Sequence, residues 1–356
     1  MLKKIRIRNF KCYGPKGALF DLARINFIYG DNSVGKSSFL QFLEMLLKSV
    51  DCEAKYHRDA FDRHLFKGIN RDGAGNRVGI YAKLRFLTVD EAVPVDLEFQ
   101  QKENDEQSSF YQLTASRNEE INVALWDKLL PKDGGQDRIV RMSAPRSKAA
   151  IVSGNHADAD ETGSDLVSDH FLNKVTLEMD SDARQYLDDI FERLGIPYQC
   201  VVDANGSIAE WRIHDKDFDI DLDIDDVGTG IAGLIRLAFI LKDWKGGILA
   251  IEEPETNINE NQLAALTKVL VEEALKRPNG QLIVECHSEH VIAKLRGLLA
   301  RNVLLPNDLS VTVLKKDKQG SIPRKIEFDK NGNVMTAWPG GYFPALANIL
   351  EETYKI

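Results

Sequence analysis

Along this chain the apolar positions keep two rhythms. In residues 2–8 they alternate, with Lys4, Arg6 and Arg8 on one face and Ile5 and Ile7 on the other, the two-residue period of a strand with one basic side. Residues 25–29, 248–251 and 282–286 are instead short, unbroken apolar runs, read as buried strands with helical stretches after them. The first of those helices, about 35–50, is apolar on nearly every side (Phe39, Leu40, Phe42, Leu43, Met45, Leu46, Leu47) and should be buried. Helices are also predicted after a glycine-rich turn near 228 and over 181–195, 259–276, 289–300 and 343–354. Further strands are predicted over 78–88, 95–100, 199–202, 208–213, 218–225, 311–315 and 324–328. Between 131 and 170 the pattern dissolves into Gly, Asp, Asn and Ser, which predicts a mobile surface loop. There is no internal repeat and no heptad run, and the mixture of strands and helices predicts an α/β protein.

At 356 residues the chain has room for one large α/β domain with an excursion, or for two domains. Its 43% hydrophobic and 28% charged residues are those of a soluble globular protein. No stretch approaches the length of a membrane span, and the charged start MLKKIRIRNF has no signal-peptide core, so a cytoplasmic protein without a membrane partner is expected. Cys12, Cys52, Cys200 and Cys286 form no CxxC pair and read as reduced thiols. The net charge of -9 argues against coating nucleic acid through bulk charge. The basic face of Lys4, Arg6 and Arg8 remains a candidate DNA contact, or else a charged sheet edge.

The stretch GDNSVGKSS, residues 30–38, fits GxxxxGK[ST] between a strand and a helix. Gly30 and Gly35 let the backbone wrap, so that the N–H groups of Asn32, Ser33, Val34, Gly35 and their neighbours can face phosphate oxygens. Lys36 would reach the β- and γ-phosphates, and Ser37, followed by Ser38, would offer a hydroxyl to Mg²⁺. In ILAIEEPE, residues 248–255, an apolar strand delivers two carboxylates to the sheet edge. Glu252 is then a candidate for the Mg²⁺ shell and Glu253 for the base that activates water; the alternative is a strand running into a solvated acidic turn. QLIVECHSEH, residues 281–290, brings His287 to the same edge, either to sense the γ-phosphate or as a capping residue. Gly228, Thr229 and Gly230 open an apolar helix, which gives either a second anion site or a tight turn before a core helix. FDIDLDIDD, residues 218–226, alternates Ile220, Leu222 and Ile224 with aspartates and reads as a strand with a solvated acidic face, or as a metal site.

The order of glycine loop, glycine-opened helix, acidic strand and histidine strand resembles the ABC-type ATPase heads, which include the SMC, RecF and OLD-type proteins. KIRIRNFKCYG resembles their opening strand, IEEPE…NINENQ their acidic strand and D-loop, VECHSEHVI their histidine switch and VGTG their signature turn. SAPRSKAAI and WPGGYF look like small prokaryotic ATPases found in anti-phage loci. The resemblance implies a P-loop NTPase head with a mixed central sheet flanked by helices and an additional antiparallel β-subdomain. It implies ATP and Mg²⁺ as cofactors, and a homodimer or higher oligomer in which Gly228, Thr229 and Gly230 touch the ATP of the other copy, with Asn257 and Asn259 in the crossing D-loop. Residues 1–356 then read as a single ATPase domain. Its core is formed by about 1–100 and 220–300, with an inserted segment at 101–219 and closing strands and a helix at 301–356.

There are departures from the family pattern. Glu252 stands where an aspartate is usual, and Ala232 and Gly233 where related small ATPases carry Ser and Gln. The interval between Lys36 and Glu253 carries no heptads of an SMC arm, and the chain after His287 is expected to be too short for the nuclease domain of OLD proteins. The resemblance therefore implies a bare ATPase head, an ATP-hydrolysing switch acting on DNA or on a separate effector protein, with defence as its setting. The alternatives are a scaffold that binds ATP with little turnover and holds a nuclease or toxin, and the ATPase subunit of a transporter.

Overall fold

Three of the apolar runs become neighbouring parallel strands. The computed structural model describes residues 1–48, 55–56, 61, 63–64, 79–87, 94–103, 109–116, 121, 123–130, 138–142, 181–203, 210–223 and 226–337. In chain order the elements are β1 (Leu2–Arg8), β2 (Ala18–Asp21), β3 (Ile25–Gly30), α1 (Lys36–Lys48), β4 (Lys55–Tyr56), β5 (Tyr81–Leu87), β6 (Pro94–Glu103), β7 (Ser109–Ala115), α2 (Val123–Leu129) and β8 (Ile139–Met142). There follow α3 (Ser181–Arg193), β9 (Tyr198–Asp203), β10 (Glu210–Asp215), β11 (Ile220–Asp223), α4 (Thr229–Asp243), β12 (Gly247–Glu252), α5 (Glu260–Lys276), β13 (Gly280–Glu285), α6 (Glu289–Ala300), β14 (Leu309–Asp317) and β15 (Gly320–Ile326). The helix expected at 343–354 lies outside the described residues, as does most of 131–170; within that expected loop, Ile139–Met142 is a strand.

The chain forms two compact units: Met1–Arg141, Lys245–Glu253 and Ala274–Ile356 make the first, Met142–Trp244 and Pro254–Glu273 the second. The first unit holds two six-stranded sheets. One has the order β2-β1-β5-β6-β7-β4 and is antiparallel throughout. The other, β15-β14-β3-β13-β12-β8, is mixed: β14, β3, β13 and β12 run parallel, and β15 is antiparallel to β14. Every residue of β3 and β13 is buried, as expected of parallel strands covered on both faces. Helix α1 buries Phe39, Leu40, Phe42, Leu43 and Leu46 completely in a core shared by both sheets. Each such side chain contributes about 1.5–3 kcal/mol. Buried Gln281 ties the sheets together: its Nε2 donates to the carbonyls of Leu2 and Ala23, both at 2.7 Å, and its Oε1 accepts from Leu2 N–H at 3.1 Å.

The first strand corrects one expectation. β1 lies between β2 and β5, so its basic face is not a sheet edge. Lys4 pairs with Asp21 at 3.0 Å, and the Arg8 guanidinium lies 5.1 Å from the Tyr81 ring.

In the second unit, β11-β10-β9 is an antiparallel sheet, and α3 packs against β9 and against α4. The aspartates of β11 face partners across the strand pair, Asp221 to His214 Nδ1 at 2.8 Å and Asp223 to Arg212 Nε at 3.2 Å. Ile220 is exposed, so this short strand has no buried apolar face there. Among the described residues, no helix is long and apolar enough to cross a membrane.

Candidate functional site: a phosphate loop with two partitioned carboxylates

Strand β3 ends in a loop that only glycine can close. Gly30 has φ 157°, and a Cβ there would lie 2.5 Å from Val34 Cγ2 and 3.0 Å from the Leu314 carbonyl. Ser33 sits at φ 62° and Gly35 at φ 106°, where a Cβ would overlap Cys12 Sγ. Tyr13, fully buried, donates its hydroxyl to the Gly35 carbonyl at 2.6 Å and so pins the end of the loop. Its first turn contains no acidic side chain, so the positive end of α1 is left for an anion. Lys36 is buried and folds back over the loop, donating to the carbonyls of Gly30 at 3.0 Å and Asp31 at 3.1 Å.

Beside this loop the register of β12 and β13 places Glu252 directly opposite Glu285. Two like charges on paired strands repel, and both are largely buried. Each has its own cation. Arg141, from β8, donates through Nε to Glu252 Oε1 at 2.6 Å and through Nη1 to Glu44 Oε2 at 2.6 Å, while its Nη2 also contacts Glu252. Glu285 lies 3.8 Å from Lys36 Nζ and accepts a 2.9 Å hydrogen bond from Ser37 Oγ on its Oε1; its buried Oε2 has no hydrogen-bond partner among the described residues. Burial raises the Glu252 carboxyl against the pull of Arg141. Burial likewise pushes the Glu285 carboxyl up to about 7, with the Glu252 charge adding to the rise and Lys36 and Ser37 opposing it.

The next residue turns away from the sheet. Glu253 has φ 44°, a left-handed conformation that costs a non-glycine residue on the order of 1 kcal/mol. Its N–H donates to the Glu285 carbonyl at 3.0 Å. His287 follows β13, and Ser288 behind it caps α6 by accepting from His290 N–H. His287 Nε2 is 3.3 Å from Glu253 Oε1. Ligand atoms of Glu253, Glu285 and His287 all lie within 4.8 Å of one another.

Part of this set, without His287, lines a cavity of about 300 Å³. Of the residues read from the sequence, Asn32, Ser33, Gly35, Lys36, Ser37, Ser38 and Glu253 line it, together with Lys11, Cys12 and Glu285. Val34 is buried behind the loop, and Glu252 is turned to Arg141 and does not line the cavity. Gly228, Thr229 and Gly230 belong to the second unit. Gly228 caps α4 in an extended conformation without a side-chain hydrogen bond, whereas a Cβ on Gly230 would overlap the carbonyl of Asn257. The second glycine is therefore explained by close backbone packing, and the first is exposed.

The family described as "AAA domain, putative AbiEii toxin, Type IV TA system" matches residues 25–293, three-quarters of the chain. The chain belongs to this AAA family. The AAA domain is also similar to solved SMC heads. One, bound to the C-winged helix domain of ScpA, has a TM-score of 0.57 at 14% identity, covering 92% of this chain and 98% of that one. The SMC head domain from Thermotoga maritima gives 0.52 at 14%, covering 92% and 99%. An Smc head with an extended coiled coil, bound to the C-terminal domain of ScpA derived from Pyrococcus furiosus, gives 0.54 at 12%, covering 99% of both chains. At these identities the likeness establishes the SMC-head type of P-loop ATPase fold. No curated protein matches the chain.

Besides Lys11 and Cys12, sequence reasoning missed four residues around this AAA domain's site. Glu285 stands two residues before His287 at the end of an apolar run, a charge in a buried strand that could have been flagged. Arg141 and Glu44 meet only in space. Tyr13 sits in a glycine-rich turn with no local sign of its bond to Gly35.

Proposed function

We propose that this chain is a Mg²⁺-dependent ATPase of the ABC type that works as a switch. ATP joins two copies head to head, hydrolysis separates them, and DNA or a separate effector protein reads the change, in prokaryotic anti-phage defence. The two compact units are taken as parts of one such head. The observation that carries the reading is the strand–loop–helix at Gly30–Ser37 opening on a cavity that also holds Glu253 and Glu285.

A triphosphate suits this cavity. Lys36 would exchange two carbonyl acceptors for phosphate oxygens, and the loop N–H groups and the α1 N-terminus would add further positive charge. Mg²⁺, when bound, would neutralise charge on the β- and γ-phosphates, with Ser37 and a neighbouring carboxylate as its protein ligands. Glu253 is the base. As a water oxygen bonds to the γ-phosphorus and the bond to the β–γ bridging oxygen breaks, Glu253 takes the water proton, leaving ADP and phosphate. His287, at 3.3 Å, orients that carboxylate.

Glu253→Gln should lower kcat by about 100- to 10,000-fold while still binding ATP, and should accumulate an ATP-dependent dimer in light scattering. Unchanged turnover in Glu253→Gln would reject the assignment, as would a Lys36→Ala chain that binds ATP as the parent does. One observation favours a second reading, a scaffold that holds an effector around unsplit ATP: Ala232, where relatives carry Ser, is buried in α4 and offers no hydroxyl to a phosphate. Single-turnover hydrolysis separates the two, since a scaffold retains ATP for hours.

A further inference from the structure

Of the two carboxylates paired across β12 and β13, one is already spent. Glu252 is clamped by Arg141, which also bonds Glu44, in a pocket where the three side chains are 9–12% exposed. Bringing Glu252 to a cation would strip Arg141 of a buried partner and leave a buried charge uncompensated, which is strongly unfavourable. Glu285 is in the opposite position. It lines the cavity and is only 2% exposed, its Oε1 already accepts from the Ser37 hydroxyl, and its buried Oε2 has no hydrogen-bond partner among the described residues. A buried carboxylate oxygen without a donor is uncommon, and a ligand that completes it is its natural partner. Mg²⁺ takes oxygen ligands, one or two from carboxylates and the rest from phosphates and water, and Ser37 and Glu285 offer hydroxyl and carboxylate side by side.

We infer that Glu285, not Glu252, is the carboxylate that holds the Mg²⁺ of the bound nucleotide together with Ser37. The β12 acid keeps β8 and α1 in place through Arg141, and the metal site is moved one strand over, to the strand that also delivers His287. This rests on the reading that the cavity takes a nucleotide triphosphate.

The test uses equilibrium binding of a fluorescent ATP analogue to the full chain, with Mg²⁺ and with EDTA. Mn²⁺ binding in the presence of ADP, read by loss of the free-ion EPR signal, gives a second measure. Glu285→Gln should lose about 10- to 100-fold in Mn²⁺ affinity and the matching Mg²⁺ enhancement of nucleotide binding. In EDTA it should bind the analogue as well as or better than the parent, because a negative charge beside the triphosphate is gone; a merely structural role would not produce that opposite sign. Glu285→Asp, which keeps the charge on a shorter arm, should fall between the two. Glu252→Gln should change Mn²⁺ affinity less than about threefold. The inference is overturned if Glu285→Gln and Glu285→Asp keep the full metal enhancement, or if Glu252→Gln loses it instead. Failure of the ATP reading looks different: the parent chain would bind the analogue neither with Mg²⁺ nor in EDTA.

Discussion

Replacing Arg141 by methionine tests how the site keeps two acids adjacent. Methionine approximates the arginine stem and removes only the guanidinium. Arg141, Glu44 and Glu252 have side-chain exposures of 10%, 9% and 12%, so water does little of the work of solvating them. Both carboxylates lose hydrogen bonds of 2.6 Å, and Glu252 is left opposite Glu285 with no cation of its own. Removing one partner from a buried ionic cluster costs about 3–5 kcal/mol, which for a unit of this size lowers the melting temperature on the order of 10 °C. The pH dependence has a definite sign. Burial already raises the Glu252 carboxyl, and deleting Arg141 removes what opposed the rise. A raised acid holds its proton in the folded state after the unfolded chain has released it, so its stability contribution is present at low pH and lost as pH climbs. The penalty of Arg141→Met should therefore be larger at pH 8 than at pH 5. Urea unfolding followed by fluorescence of buried Trp126 measures it. Combining Arg141→Met with Glu44→Leu and Glu252→Met should recover most of the loss, because an apolar cluster replaces the ionic one. A loss below about 1 kcal/mol, the value of a surface pair, would refute the reasoning, as would an equal loss at both pH values.

Three other outcomes follow from the same geometry. Gly35→Ala should destabilise the loop by about 1–3 kcal/mol and abolish nucleotide binding, and Cys12→Ala in the same chain should relieve the overlap with Sγ but not the strain of φ 106°, a partial rescue visible in calorimetry. Cys12, lining the cavity, should alkylate with iodoacetamide at pH 7.5 and be protected by ATP, whereas Cys200, pushed up to about 12 by burial, should stay unmodified in peptide mapping. Because the Glu285 carboxyl sits near 7, above its ordinary value, the nucleotide-free chain should lose the stability tied to that proton as pH rises from about 4.5 through 7; Glu285→Gln should gain on the parent over that window in thermal melts, and a constant difference would contradict it.

What the sequence discloses here is what is contiguous. GDNSVGKSS carries its glycines, lysine and hydroxyl within one loop, and the runs ending at Glu252 and Glu285 are long enough to be read as buried strands. Arg141 shows the limit. It lies in the four-residue run IVRM, too short to show a period, and only the pairing of β8 at the end of the central sheet places its guanidinium between a helix and a strand. β1 looked like a candidate edge because its neighbour β2 is four residues long and its sequence, ALFD, gives little signal, yet that strand supplies Asp21 to Lys4. In FDIDLDIDD the alternation is real, but the pattern cannot say whether its apolar side is covered; at Ile220 it is exposed.

The register between β12 and β13 ties these points together. Parallel strands paired Gly247 to Gly280 through Glu252 to Glu285 bring both acids level at the sheet edge, and neither can move without shifting a fully buried strand. The sheet therefore cannot separate the charges by distance, and it separates them by partner: a guanidinium on one side and a lysine with a hydroxyl on the other. The second arrangement is the looser one, because Lys36 lies 3.8 Å from Glu285 whereas Arg141 is anchored at both ends. Glu253 completes the logic. Pro254 has no N–H to continue the ladder, and the left-handed turn at Glu253, held by its N–H to the Glu285 carbonyl, places its carboxylate among the cavity-lining groups within reach of His287. Two successive glutamates thus take unlike positions, one held by Arg141 and one facing the cavity, because the strand ends between them.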